Sequence, residues 1–145
     1  MLNLRLIPVL LLKNNTLVKT VNFTNPKYIG DPINTALMFN DFKADELIIL
    51  DIDASVKKKN NNIKLLENIS NNCFMPIAFG GGINSLEYAK LIIKSGYEKI
   101  IINYHSIVDK HFISKLANHI GSQAVIVSID YKFDKFSQKK VFTLS

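Results

Sequence analysis

The chain has 145 residues, of which 48% are hydrophobic and 21% are charged, a composition typical of one globular domain with its own core. Its single cysteine, Cys73, excludes an internal disulfide. The longest apolar stretch falls far short of the roughly 20 residues that span a bilayer. The N-terminus lacks the basic segment and cleavage site of a signal peptide, so we expect a cytoplasmic protein. The net charge of +6 favours binding of acidic small molecules such as phosphate esters.

Neither a nucleic-acid partner nor a membrane partner is expected from the distribution of charge. The lysines do not alternate with aromatic residues, and no predicted helix carries a basic stripe. The densest basic run, at 57–59, leads into three asparagines and is typical of a solvated loop. The histidines, His105, His111 and His119, are not spaced as metal ligands, so we expect no metal and no cofactor.

In chain order, short and nearly continuous apolar runs alternate with amphipathic stretches. Such runs are typical of parallel strands that are covered on both faces, and their spacing of about 25–40 residues suits βαβ units. Polar hairpins are expected after the first and last strands, at 13–23 and 131–145, and no linker divides the single domain 1–145. The predicted strands are 5–12, 47–53, 75–79, 99–103 and 124–130, and the predicted helices are 31–43, 61–72, 85–95 and 109–119.

Polar or glycine residues stand at the C-terminal ends of four successive predicted strands, namely Asp51, Gly80–Gly82, Asn103 and Asp130. A doubly wound sheet binds its ligand mainly at one switch point, whereas a barrel gathers the loops that follow all its strands. The pattern therefore favours an α/β fold of the (β/α)8 TIM-barrel class. Because a complete barrel takes about 250 residues, we expect a half-barrel of about five parallel strands and four helices.

The three consecutive glycines, Gly80–Gly82, form a strand–glycine–helix unit, with Ser85 as the predicted N-cap of the next helix. Glycine lets backbone N–H groups approach an anion closely, so this unit predicts a phosphate-binding turn. Neither the dinucleotide fingerprint nor the P-loop pattern fits these residues, and the turn alone is therefore a weak signal.

Several stretches in order give the chain a specific resemblance, among them Arg5-Leu6-Ile7-Pro8, Leu17-Val18-Lys19, Gly30-Asp31-Pro32, Leu50-Asp51-Ile52 and Gly80-Gly81-Gly82-Ile83. From residue 1 to about 130 the chain resembles HisF, the cyclase subunit of imidazole glycerol phosphate synthase. Members of that family are (β/α)8 barrels that take ammonia from a glutaminase, HisH, through the barrel and use it on a phosphorylated nucleotide intermediate. The resemblance thus implies a HisH-like glutaminase partner and a phosphorylated small-molecule substrate.

The resemblance also implies roles for single residues. Asp130 is the implied catalytic acid or base, although a carboxylate here could simply cap a loop. Arg5, Glu46 and Lys99 are the implied ammonia gate at the barrel bottom, although charges at strand starts also form solvent-exposed ion pairs of little consequence. The implied substrate and phosphate ligands are Lys19, Asp51, Gly81, Gly82, Asn103 and Tyr104, the last of which stands where a small hydroxyl residue is usual.

Two departures from the family pattern leave the activity open. Leu11 stands where the family has the catalytic aspartate of its first strand, and the family's later strands have no counterpart. A HisF-like branch associated with amidation of surface sugars (WbuZ-like) resembles the chain more closely, since it shares Leu10-Leu11-Leu12 and the stretch 26–34. We therefore expect a synthase subunit diverged toward a surface-polysaccharide sugar. The alternative is a truncated, non-catalytic scaffold that binds the glutaminase. We also expect self-association or a missing C-terminal half.

Overall fold

The computed structural model describes residues 4–21, 24–54 and 62–142, and the basic run at 57–59 lies outside these ranges. Most of the described strands form one seven-stranded sheet in the order β3-β2-β1-β4-β5-β6-β7, and β8 and β9 pair separately. The strands are β1 Val9–Lys13, β2 Thr16–Val21, β3 Thr24–Gly30, β4 Leu47–Asp51, β5 Ile77–Gly80, β6 Lys99–Ile102, β7 Val125–Val127, β8 Tyr131–Phe133 and β9 Lys139–Val141.

The five strands β1, β4, β5, β6 and β7 are parallel neighbours in chain order, as predicted for an open part of a (β/α) barrel. The helices that connect or follow them are α1 Pro32–Asp41, α2 Ile63–Asn71, α3 Leu86–Lys94, α4 Tyr104–Val108 and α5 Phe112–Ile120. The four predicted helices are thus present among the described residues, whereas the short α4 was not predicted. Over the described residues, the sheet is not closed into a barrel.

The predicted helix starts are explained by their caps. Asp31 precedes α1, whose first residue is Pro32, and its carboxylate accepts a hydrogen bond of 2.9 Å from the Asn34 amide. Ser85 caps α3 by accepting from the amide of Tyr88 at 3.1 Å. The sequence prediction for both helices is confirmed, and the cap of α3 fixes the direction in which the chain leaves the glycine turn.

The first predicted hairpin is confirmed, and it is larger than the sequence suggested. Asn14 and Asn15 both adopt positive φ, 49° and 66°, which suits a two-residue turn between β1 and β2. Strand β3 was not predicted because it is exposed almost throughout and includes Pro26, so it lacks an apolar run. The predicted first strand began at residue 5, but β1 begins at Val9 because the preceding segment instead bonds to the loop before β4.

The two faces of the parallel sheet have different environments. Leu10, Leu12, Leu47 and Ile49 point toward the helices and belong to the main core. On the other face the register places Leu11, Leu50, Gly80, Ile101 and Ile126 side by side, and we call these five residues the inner row. The inner row runs across all five parallel strands, one layer below the ends where the polar residues stand.

Candidate functional site at the carboxyl ends of the strands

A pocket of about 280 Å³ opens where β4, β5, β6 and β7 end. It is lined by the ends of these strands and by the residues that follow them, so four separate strand ends contribute to one concave surface, as predicted. Six predicted site residues and one neighbouring glycine are among its lining residues: Asp51, Gly80, Gly81, Gly82, Asn103, Tyr104 and Asp130.

The ends of β6 and β7 are joined across the pocket by Asn103 and Asp130. The side-chain amide of Asn103 donates a hydrogen bond of 2.9 Å to the Asp130 carboxylate. Asp130 is exposed, so its carboxylate is open to solvent and to a ligand. A carboxylate held by one amide at a pocket mouth has the reach and the freedom to accept or donate a proton.

The glycine turn has no room for side chains. Gly82 has φ +66°, and a Cβ there would lie 3.0 Å from the Cβ of Ala54. Gly81 has φ +137°, and a Cβ there would lie 2.7 Å from the carbonyl oxygen of Asp51. The backbone between β5 and α3 therefore packs directly on the end of β4, and a pocket lined by bare backbone can accept an anion closely.

Asp51 orders the loop that follows β4. One oxygen of its carboxylate accepts from the amides of Asp53 and Ala54, at 3.0 and 3.2 Å. Asp53 in turn forms an ion pair with Lys13 at 3.5 Å, which ties the end of β1 to the same loop. The geometry thus gives Asp51 a positioning role, since its carboxylate supports the loop against which Gly81 and Gly82 pack.

Lys19 is not brought into this pocket. It lies exposed on β2, where its cross-strand neighbour in β3 is Lys27. Because the hairpin runs back along β1, its position is set by strand pairing and not by the strand ends that form the pocket. The implied phosphate contact of Lys19 is therefore absent from the pocket in this arrangement.

Two further polar residues line the pocket, and sequence reasoning did not assign them to it. Ser128 precedes Asp130 by two residues, and its amide donates to the carbonyl of Ile102 at 2.8 Å. His105 also lines the pocket, and its ring packs edge-on against that of Tyr104 and at a tilt against that of Phe112, at centroid distances of 5.4 and 5.8 Å. Their position in the sequence could have identified them, because each lies two residues from a predicted ligand at a strand end.

The predicted gate residues meet at the opposite end of the sheet. The carboxylate of Glu46, whose side chain is only 4% exposed, accepts from Arg5 at 2.9 Å and from Lys99 at 2.7 Å. Arg5 and Glu46 precede β1 and β4, and Lys99 is the first residue of β6. The buried Glu46 carboxylate therefore connects the starts of three strands. The structure thus has one shared cluster and not independent, fully solvated ion pairs. The role of this cluster as an ammonia gate stays a prediction.

Leu11 lies in the inner row, with Leu50 as its partner on β4. Its neighbours in that row are aliphatic or glycine, so no proton-transfer group occupies this layer.

Among the described residues there is no cluster of three or more histidine, cysteine, aspartate or glutamate side chains that could hold a metal ion. In the same part of the chain, no helix has both the length and the apolar character needed to cross a membrane.

Comparison with known proteins gives a consistent family assignment. A family model described as histidine biosynthesis protein matches residues 5–144. The chain is 48% identical over 139 residues to a Leptospira borgpetersenii protein and 46% identical over 143 residues to one from Pseudomonas aeruginosa, both provisionally named as imidazole glycerol phosphate synthase subunit HisF. It is 38% identical over 132 residues to the HisF subunit of a Hydrogenobaculum species, named without that qualification.

These alignments cover 96%, 99% and 91% of the chain but 55%, 57% and 52% of the three relatives. The chain therefore spans about half the length of the curated relatives it matches, in agreement with five parallel strands of an open sheet. From the match over residues 5–144 and the identities above, the chain belongs to the histidine biosynthesis protein family, within its HisF group.

Proposed function

We propose that the chain is a HisF-like subunit that uses ammonia from a HisH-like glutaminase, and that it has diverged from histidine synthesis toward amidation of a surface-polysaccharide sugar. The observation that carries this proposal is Leu11 in the inner row, beneath a pocket that is lined by the expected catalytic and phosphate-binding residues except Lys19. The phosphorylated part of the substrate is assigned to the turn at Gly81 and Gly82, with Asn103 as a neutral donor.

The acid/base chemistry of the proposed reaction differs from that of the cyclase. Ring closure needs one group to take a proton and another to give one, both at the mouth. Leu11 can do neither, so Asp130 is left without the partner that the family's first strand provides. Neutral ammonia attacks an electrophilic sugar-bound carbon through its lone pair, and the new C–N bond leaves a positively charged nitrogen that must lose a proton. The Asp130 carboxylate, which is exposed and bonded to Asn103, is suited to accept that proton and to pass it to the oxygen that departs as the C–O bond breaks.

An ammonia path from the gate to the pocket is supported by the residues between them. Above Glu46 the register places Val9, Ile48 and Ala78 in one layer with the gate residue Lys99, whose ammonium is held by Glu46, and the inner row forms the next layer, which has no charged residue. Neutral ammonia crosses apolar layers at little cost, whereas ammonium would have to be desolvated. The Arg5–Glu46–Lys99 cluster would therefore admit nitrogen at the bottom and the apolar layers would keep it uncharged.

Exposed aromatic side chains near the gate support a protein partner on that side. Phe42 follows α1 and is 67% exposed, and Phe74 follows α2 and is 86% exposed. Asn40 connects the two segments, since its side chain donates to the carbonyl of Asn72 and accepts from the amide of Phe74. Large aromatic side chains that are exposed on ordered backbone are typical anchors of an interface.

The reaction class is tested with a completed barrel, made by fusing residues 1–130 to the matching C-terminal half of the Hydrogenobaculum HisF relative. We expect no formation of imidazole glycerol phosphate from the histidine-pathway intermediate and ammonium, and turnover once Leu11→Asp is introduced. Leu11→Asn is the matched control, because it is polar and of similar size but does not titrate. Robust turnover with Leu11 intact would show that Asp130 suffices and that the divergence proposed here is wrong.

The partner is tested separately by titration calorimetry with a HisH-type glutaminase. Phe42→Ser together with Phe74→Ser should weaken binding at least tenfold, as expected for interface anchors worth more than about 1.4 kcal/mol. Phe133→Ser, on an exposed hairpin at the other end of the sheet, is the control. Glutaminase binding without any synthase activity on sugar or histidine-pathway substrates would instead favour the non-catalytic scaffold.

A further inference from the structure

The β8–β9 hairpin projects from the candidate site itself. It starts at the residue after Asp130, and the amide of Phe142 closes it by donating to the Asp130 carbonyl at 2.8 Å. Its turn is fixed by Asp134, whose carboxylate accepts from the amides of Phe136 and Gln138. These backbone bonds, together with an ion pair to Lys140 at 3.0 Å, hold the pKa of Asp134 below its usual value. The hairpin is therefore an ordered extension of the pocket rim.

One face of this hairpin is aromatic and open. The register pairs Tyr131 with Val141 and Phe133 with Lys139, so these four side chains share a face. Tyr131 and Phe133 are 54% and 61% exposed, with ring centroids 5.6 Å apart. The ammonium of Lys139 lies 5.1 Å from the centre of the Tyr131 ring. We call these four residues the aromatic face.

The charge of the hairpin complements an anion. Residues 131–142 contain four lysines and one aspartate, and that aspartate is already engaged by Lys140 and by the turn amides. On the opposite face Lys132 lies 3.4 Å from the centre of the Phe142 ring, so its cation is held against the hairpin. An exposed π surface with the Lys139 cation beside it, on a hairpin whose four lysines outnumber its one aspartate, matches a ligand with a flat ring and more than one phosphate.

We propose that the aromatic face binds the base of a nucleoside diphosphate whose attached group extends into the pocket at Asp130. Every nucleobase offers a π face, so stacking on Tyr131 and Phe133 gives affinity without strong base preference. Lys139 contacts the phosphates, and the other hairpin lysines add to the local positive potential. This subsite extends the proposed function by giving the substrate a nucleotide part, but its binding requires no turnover.

The test is titration calorimetry of the full chain with ADP and UDP, alongside AMP, inorganic phosphate and ribose 5-phosphate. We expect the diphosphates to bind more tightly than AMP, and both diphosphates to perturb the backbone amide resonances of residues 131–141. Tyr131→Ala should weaken ADP binding about fivefold to a hundredfold, the range observed for loss of one stacked base. Lys139→Gln should weaken it about tenfold or less, with the effect shrinking as salt is added.

Two controls separate this subsite from the phosphate turn and from general basicity. Lys90→Gln, on the exposed side of α3, removes the same charge elsewhere and should leave ADP binding unchanged. Gly82→Ala should abolish ribose 5-phosphate binding but leave the ADP-dependent shifts in the hairpin. Loss of those shifts in Tyr131→Ala with retained ribose 5-phosphate binding would therefore distinguish the two sites.

Three results would overturn the subsite. The first is unchanged ADP affinity in both Tyr131→Ala and Phe133→Ala. The second is a lower dissociation constant for a ten-nucleotide thymidine oligomer than for ADP, both expressed per hairpin. This result would mean that the aromatic face binds single-stranded nucleic acid. The third is a homodimer of the chain that dissociates when Tyr131→Ala is introduced. This result would mean that the aromatic face binds a second copy of the chain.

Discussion

The amide of Asn103 donates to the carboxylate of Asp130 at 2.9 Å, and this bond connects two neighbouring strand ends across the mouth of the pocket. The family resemblance implies a phosphate contact for Asn103 and proton transfer for Asp130. The two roles are therefore assigned to groups in direct contact, and a bound phosphate would lie close to a carboxylate. Like charges at this range repel, so ligand affinity and catalysis place opposite demands on Asp130.

Asp130→Asn is expected to strengthen phosphate-ester binding while it removes acid/base catalysis. Loss of one negative charge several ångströms from the ligand is worth about 0.5–1 kcal/mol in a solvated site, or a factor of about two to five in affinity. Calorimetry with glycerol phosphate measures this change. Asp109→Asn, outside the pocket lining, removes the same charge and should have little effect. Weaker binding in Asp130→Asn would mean that the carboxylate faces a ligand donor and not its phosphate.

Gly82→Ala should destabilise the fold and block the phosphate turn. An alanine at φ +66° costs about 1–2 kcal/mol, and its Cβ would lie 3.0 Å from that of Ala54. Urea unfolding measures the first effect, and calorimetry with glycerol phosphate measures the second. The matched control is Gly30→Ala at the end of β3, where φ is not in the left-handed region and the nearest atom to the new Cβ is the Thr35 hydroxyl oxygen at 3.3 Å. Binding that survives in Gly82→Ala would remove the assignment of this turn.

Local patterns predicted much of the fold, because apolar runs and helix caps act within a few residues. The five parallel strands follow from continuous apolar runs, and α1 and α3 follow from Asp31 and Ser85. Strand β3 and helix α4 were missed for the same reason: β3 is exposed on the sheet edge and α4 has only five residues, so neither needs an apolar pattern.

The candidate site was predicted where position along a strand is enough to place a side chain. Asp51, Gly82, Asn103 and Asp130 meet because the carboxyl ends of parallel strands lie together. Lys19 was harder, since its location depends on how the β2–β3 hairpin folds back along β1. The family resemblance placed Arg5, Glu46 and Lys99 together at the bottom of the barrel, but the bonding of Glu46 to both cations and its burial were not readable from residues far apart in sequence.

Stability is expected to fall as pH rises above 9, because a half-buried thiol, Cys73, and a buried phenol, Tyr97, would have to ionise. Burial raises the pKa of the Cys73 thiol from 9.0 to about 11. Burial, reinforced by Cys73 and Tyr88, raises the pKa of Tyr97 above its ordinary 10, and its hydroxyl donates to the Leu66 carbonyl at 3.1 Å. Both folded-state pKa values are raised, so the stabilisation is complete below the unfolded pKa and is lost as pH passes through the folded value.

The two contributions differ in the pH window in which they are lost. The Cys73 contribution falls between about pH 9 and 11, and the Tyr97 contribution falls above about pH 10. Urea midpoints at pH 8, 9.5 and 10.5 measure both. Cys73→Ala should reduce the fall of the urea midpoint between pH 8 and 9.5, whereas Tyr97→Phe should reduce only the fall of the midpoint at higher pH. A midpoint that stays constant to pH 10.5 would contradict the burial of both groups.

The open inner face leads us to expect that the 145-residue chain self-associates. Parallel sheets are normally covered on both faces, but here the helices cover one face, and the other carries the inner row and Val9, which is 52% exposed. Strand β7 is paired only with β6 and leaves one edge without a ladder partner among the described residues. Exposed apolar area beside an open strand edge promotes association through either feature.

Sedimentation velocity over a hundredfold range of concentration should therefore show a rising average mass. Val9→Lys places a charge on the inner face and should shift the distribution toward monomer. Leu91→Lys is the control, because Leu91 is also partly exposed but lies on α3, on the helix-covered side of the sheet. Addition of the C-terminal half of a HisF relative as a separate chain should likewise replace self-association with a one-to-one complex, since it offers the strands and apolar face that the open sheet lacks. The contrary result is a compact monomer that unfolds cooperatively at the highest concentration and is unaffected by Val9→Lys or by the added half. It would show that the inner face is already covered within one chain.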